Sequence, residues 1–231
     1  MSLTLKEGGE YEKLPKGQYE GVCYKVVDMG TTEQEYEGVK SKKKRVLITF
    51  EIQGQKMSDD RPFAISRTYT ASLFESAALR KDLVSWRGRN FTEEELQGFD
   101  IDKLLGKTAN IEVGETKNGN PKIIGLFKPD GGVQSVPTIN ETQKFDLDIY
   151  CKEWTGETCD ESKAMCDVFA DFPPWLQEDI EDSFEYKAAV KKGEDAGIVR
   201  EKGPEAQELS EKVDEMIAQN KNPLTDEDIP F

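Results

Sequence analysis

The sequence predicts a mainly β chain of the α+β class: five strands with a helix between the third and fourth, then a partly helical acidic region. Three observations carry this. Short Val-, Ile- and Tyr-rich runs bounded by Gly, Pro or Asn recur through the first 128 residues. A Gly- and Pro-free stretch of helix formers interrupts them after the third run. The charge is divided: residues 1–128 hold 21 basic and 20 acidic residues (net +1), residues 129–231 hold 10 and 26 (net −16).

The first strand is read from "GQYEGVCYKVVDMG", Gly17–Gly30. Its apolar residues fall on both parities, Val22, Tyr24 and Val26 against Tyr19, Cys23 and Val27, so both faces are expected to be covered. The polar "TTEQEYEGVKSKKK" reads as a long loop. In "RVLITFEI" Val46, Ile48, Phe50 and Ile52 share one face, and in "FAISRTYT" Phe63, Ile65, Arg67 and Tyr69 do. A helix is predicted over Leu73–Trp86, and a second, short one where Thr92 precedes Glu95 by three residues, the capping-box spacing. Ala109, Ile111 and Val113 alternate, "NGN" turns at Asn118–Asn120, and "KIIGLF" returns as a hairpin.

After Pro129, "DGGVQSVPTINETQ" reads as a linker and "KFDLDIYCKEW" as an extra strand. Leu176, Ile180, Phe184 and Ala188 recur at i+4 behind the paired prolines, an amphipathic helix. Leu209, Val213, Met216 and Ile217 form a second such stripe after Pro204. The expected domains are therefore 1–128, 129–225 and a tip, 226–231. The order strand, strand, strand, helix, strand, strand matches a five-stranded OB-fold barrel.

Composition excludes several functions. No apolar run reaches the roughly 18 residues of a membrane span, so no membrane partner is expected. The first residues lack an apolar signal core, so the expected compartment is the cytoplasm, that of a host if the chain is viral. There is no His, which removes the commonest general base and a common zinc ligand. Cys151, Cys159 and Cys166 have seven and six residues between them; a zinc site would need Cys23 or a carboxylate as well, and reduced thiols are the expectation. "GKT" at Gly106–Thr108 is not a phosphate loop, because position 101 is Ile rather than Gly. Asp100/Asp102 and Asp146/Asp148 are two apart, as in some metal nucleases, but sit in a chain full of carboxylates. No catalytic residue, metal or cofactor is expected.

Basic and aromatic residues point to nucleic acid. Lys40, Lys42, Lys43, Lys44 and Arg45 join the first two strands, where an OB-fold borders its ligand face. The hairpin loop between the fourth and fifth strands adds Lys117 and Lys122, and the first strand adds Lys25. Phosphates need cations along a groove and bases need flat rings. Arg67 with Tyr69, and Trp86, Arg87, Arg89 and Phe91 in "WRGRNF", offer both.

The chain closes on Asp226-Glu227-Asp228-Ile229-Pro230-Phe231. An apolar ring behind three carboxylates suits a basic, partly apolar pocket on a partner. "DEDIPF" resembles the C-terminal tip of bacterial single-stranded-DNA-binding proteins, matching five of six positions, with Glu227 keeping the charge of the sixth. "LLGKTANIEVGETKNGNPKIIGLFKP" is similar to OB-type single-stranded-DNA-binding proteins of tailed phages. The resemblance implies a protein that coats single-stranded DNA in replication, recombination or repair and recruits enzymes of those processes through the tip. The bacterial tetramer does not carry over, because Lys144–Asn220 does not resemble the Gly- and Gln-rich linker of that family; a homo-oligomer stays open. The rival reading is a decoy or DNA mimic that fills the tip's pocket on repair enzymes without binding DNA.

Overall fold

A computed structural model describes residues 12–36 and 38–198. The tip and the stripe Leu209–Ile217 lie outside them. Among the described residues the chain is an α+β protein built on an antiparallel sheet. Its strands are β1 (Gly17–Tyr36), β2 (Val39–Lys56), β3 (Pro62–Thr70), β4 (Thr108–Glu115), β5 (Pro121–Phe127) and β6 (Gln143–Phe145). The order is β3-β2-β1-β4-β5, and β6 lies parallel to β1 at Lys25–Val27, beyond the last β4 pair at Val22. The sheet is not a closed barrel; β3 and β5 are its edges and face each other across a gap at Ser66–Thr68 and Lys122–Ile124.

The helices are α1 (Ala78–Arg87), α2 (Glu93–Gln97), α3 (Leu147–Thr155), α4 (Asp160–Ala170), α5 (Pro174–Glu181) and α6 (Phe184–Asp195). Helix α1 starts five residues later than expected, because Ser72–Ala77 turns on itself: the Phe74 N–H donates to Ser72 Oγ and the Ala77 N–H to the Phe74 carbonyl. The expected capping box opens α2. "KFDLDIYCKEW" is extended only to Phe145; Asp146 then accepts from the Ile149 N–H and caps α3. The helix expected over Leu176–Ala188 is two, because Ser183 accepts from the Tyr186 N–H and starts α6. Phe184 and Ala188 are consequently exposed, while Leu176 and Ile180 are buried.

The expected loop at Thr31–Lys44 is instead a two-stranded arm. Thr31 pairs with Lys44, Glu33 with Lys42 and Glu35 with Lys40, whereas β3 stops pairing with β2 at Arg45. Opposite charges directly across an antiparallel pair attract, so a run that looks like a solvated loop by composition pairs as strands.

Two apolar cores share the β1–β2 pair. Val26, Ile48, Phe50 and Ile111 meet Leu83 and Trp86 of α1 in the first. Val27, Met29 and Leu47 meet Phe145, Leu147, Leu176 and Ile180 in the second. Both faces of β1 are covered, as its sequence predicts, but not along the expected parities: a β-bulge between Cys23 and Lys25 shifts the alternation, so Tyr19, Cys23 and Val26 face the first core and Val27 and Met29 the second. No described helix is long and apolar enough to cross a membrane.

Candidate nucleic-acid interface

The arm gathers the predicted cations Lys40, Lys42, Lys43, Lys44 and Arg45 on one strand, and alternation sends neighbours to opposite faces. Lys40 pairs with Glu33 at 2.7 Å. Lys44 pairs with Asp28 at 2.8 Å; burial alone would lower its pKa, but the Asp28 hydrogen bond and charge outweigh that and raise it. Arg45 is largely buried and pairs with Asp179 of α5 at 3.1 Å. Lys42 Nζ sits 4.1 Å from the Phe184 ring centroid. Thr31 donates to Glu185 twice, from N at 2.7 Å and from Oγ1 at 2.6 Å. The base of the arm is therefore clasped by α5 and α6. Lys43 makes no ion pair among the described residues and is half-buried.

The remaining predicted residues are spread over the molecule. Lys25 is half-buried, its Nζ 5.3 Å from the Phe172 ring centroid; burial lowers its pKa against the pull of Asp171. Lys117 and Lys122 are exposed on the β4–β5 hairpin, and Lys122 borders the gap beside Ser66 and Thr68.

The aromatic expectations are corrected by burial. Tyr69 is 3% exposed and donates its hydroxyl to Asp82 at 2.8 Å; burial pushes the phenol pKa well up. Arg67 holds the same Asp82 at 2.8 Å. Trp86 is fully buried, with Nε1–H donating to the Thr108 carbonyl and its ring edge-on to Phe50. Phe91 is buried beneath the Arg87 guanidinium, and Arg87 and Arg89 both bind Glu95. Helix α1 covers the sheet face that carries Tyr69, so these rings fill the first core and present no face to a base.

Sequence reasoning missed Asp179, Phe184 and Glu185. The findable signal was Ser183, a capping residue that breaks the helical stripe and puts Phe184 at a helix start. It also missed Glu51, a buried carboxylate on β2 that accepts from the Ile139 N–H, the Asn140 N–H and Asn140 Nδ2. These bonds strap residues 139–140 across that strand.

Of the cysteines, Cys23 and Cys151 are buried, and burial raises Cys151 to about 12. No group of three or more Cys, Asp or Glu is placed to hold a metal ion among the described residues. No protein-family model matches the chain, and no curated protein matches it.

Proposed function

We propose that this chain is a non-catalytic single-stranded-DNA-binding protein with an OB-type body. The observation that carries the reading is the basic arm: a two-stranded extension of the sheet bearing Lys40, Lys42, Lys43 and Lys44. Cations at alternate positions along a strand can follow a flexible phosphate backbone. The OB reading is supported by the strand order, by α1 lying between β3 and β4, and by β3 and β5 facing each other as a barrel's closing strands would. The segment Asp226–Phe231 then supplies recruitment of replication, recombination or repair enzymes, a reading that rests on its resemblance.

Titration of labelled oligo-dT and of a duplex at two salt concentrations tests this. Single strands should be preferred, with a log–log salt slope of about −0.7 per phosphate neutralised. Equal affinity for the duplex would sink the reading. Removal of residues 226–231 should abolish capture of tip-binding enzymes and leave DNA affinity intact or improved.

The decoy reading has one observation in its favour. Three of the arm's cations are already held by carboxylates of this same chain: Lys40 by Glu33, Lys44 by Asp28 and Arg45 by Asp179. The double substitution Lys42→Glu with Lys43→Glu separates the two: a DNA binder weakens, and a decoy keeps its partner affinity.

A further inference from the structure

At the root of the arm lies a cavity of about 290 Å³ that the DNA-binding reading has not used. Small-ligand pockets run to roughly 300–1,000 Å³, so this one suits a single ring system. Val46, Leu79, Phe99 and Phe145 give it apolar walls. Its lining includes the exposed residues Lys44, Ala71 and Lys144, so it communicates with solvent.

The charged groups around it are matched. Lys44 pairs with Asp28 at 2.8 Å and Lys144 with Asp102 at 3.3 Å. Arg45 pairs with Asp179, and Asp146 caps α3. An anion would meet three carboxylates here, and a cation would meet three basic groups. An uncharged ligand with both donors and acceptors on its edge meets neither penalty. Two donors stand at its exposed rim, the ammonium groups of Lys44 and Lys144, each with N–H bonds beyond the one its carboxylate takes.

We propose that this cavity receives one nucleobase of a bound single strand. The base lies among Phe99 and Phe145, a carbonyl oxygen on its edge accepts from the Lys44 or Lys144 ammonium at the exposed rim, and its phosphates continue onto Lys42, on the same face of the arm as Lys44. The inference rests on the single-stranded-DNA reading and adds to it a place where the base, rather than the backbone, is held.

The test fills the cavity from its exposed rim with Ala71→Trp and compares oligo-dT with its abasic analogue. One stacked base is worth about tenfold in affinity. The wild-type protein should prefer oligo-dT over the abasic strand, and Ala71→Trp should lose about tenfold on oligo-dT with an unchanged salt slope. Wild-type affinity and preference in Ala71→Trp would overturn the base site and leave the DNA reading standing. No binding of either strand by the wild-type protein would overturn both. A second measurement needs no variant: photo-crosslinking of an oligonucleotide carrying 5-iododeoxyuridine should label the peptides containing Phe99 or Phe145, and adducts confined to other peptides would overturn the proposal.

Discussion

Lys42 Nζ, on the basic arm, stands 4.1 Å from the ring centroid of Phe184, the first residue of α6. One residue further on, the Glu185 carboxylate takes both the N–H and the hydroxyl of Thr31. The helical region and the arm therefore grip each other at the end of the sheet where the cations are concentrated. Lys42 offers its charge to Phe184 while remaining exposed, so the grip and a ligand compete for one side chain.

An exposed cation–π contact contributes about 0.5–1 kcal/mol. A double-mutant cycle of Lys42→Met and Phe184→Ala should return a coupling of that size in urea unfolding. Amide exchange at Thr31 should accelerate in Phe184→Ala, because the α6 start that bonds it loosens. A coupling of zero with unchanged exchange would mean that the contact carries no energy.

Glu51 predicts a stability effect far from the arm. Its carboxylate accepts three hydrogen bonds from residues 139 and 140 while 1% exposed. Glu51→Ala removes the acceptor of all three donors; because Ile139 is exposed and Asn140 half-buried, water replaces it in part, and the cost is about 0.5–1.5 kcal/mol per lost bond. The urea midpoint should fall, and the Ile139 and Asn140 amides should exchange faster than those of the β4–β5 hairpin. Uniform acceleration of all amides would argue against a local strap.

Glu95 sets a pH dependence. The Arg89 hydrogen bond, then the Thr92 N–H and Arg87, hold its pKa down to about 2, below the usual glutamate value. A depressed folded pKa stabilises above the unfolded value and is lost as pH falls through the folded one. The contribution should thus be intact at neutral pH and decline from about pH 4.5 towards pH 2. Glu95→Gln keeps a capping-box residue but not the charge, so the urea-midpoint difference from wild type should shrink over that window. A constant difference would contradict the assignment.

Trp86 separates packing from stacking. It is fully buried and donates to the Thr108 carbonyl. Trp86→Ala should cost about 3–5 kcal/mol. Trp86→Phe should cost about 1–3 kcal/mol, chiefly for the orphaned carbonyl, and leave oligo-dT affinity unchanged where the variant is folded. Lost affinity at unaltered stability would restore a stacking role.

Gly193 lets α6 lie against α3. A Cβ there would sit 2.2 Å from the Trp154 carbonyl oxygen, a backbone atom that cannot rotate away. Gly193→Ala should destabilise by about 1–3 kcal/mol, the usual range for overpacking, despite the better helix propensity of Ala. A more stable variant would show that α6 is free to move off α3.

Local signals carried much of the fold. The alternation of Val46, Ile48, Phe50 and Ile52, the "NGN" turn and the Thr92–Glu95 capping box act between residues close in the chain, and each appears where its pattern falls. The two parities of β1 announced two covered faces, since only burial on both sides accommodates Val26 beside Val27. The candidate site was harder to read. Lys40–Arg45 are visible as charge, but whether they form a loop or a strand depends on pairing with Glu33 and Glu35.

What the sequence by itself determined is the strand and helix inventory of the body, the division of charge and the motif Asp226–Phe231. Those properties are written in periodicity and composition, which act locally. Only the tertiary structure decided that Tyr69 and Trp86 are core, that Asp179 and Phe184 hold the arm, and that Phe99 and Phe145 share a cavity with Arg45. An aromatic or charged side chain has the same local propensity on either face of an element. Its exposure is settled by what packs against that face, and that partner comes from a distant part of the chain.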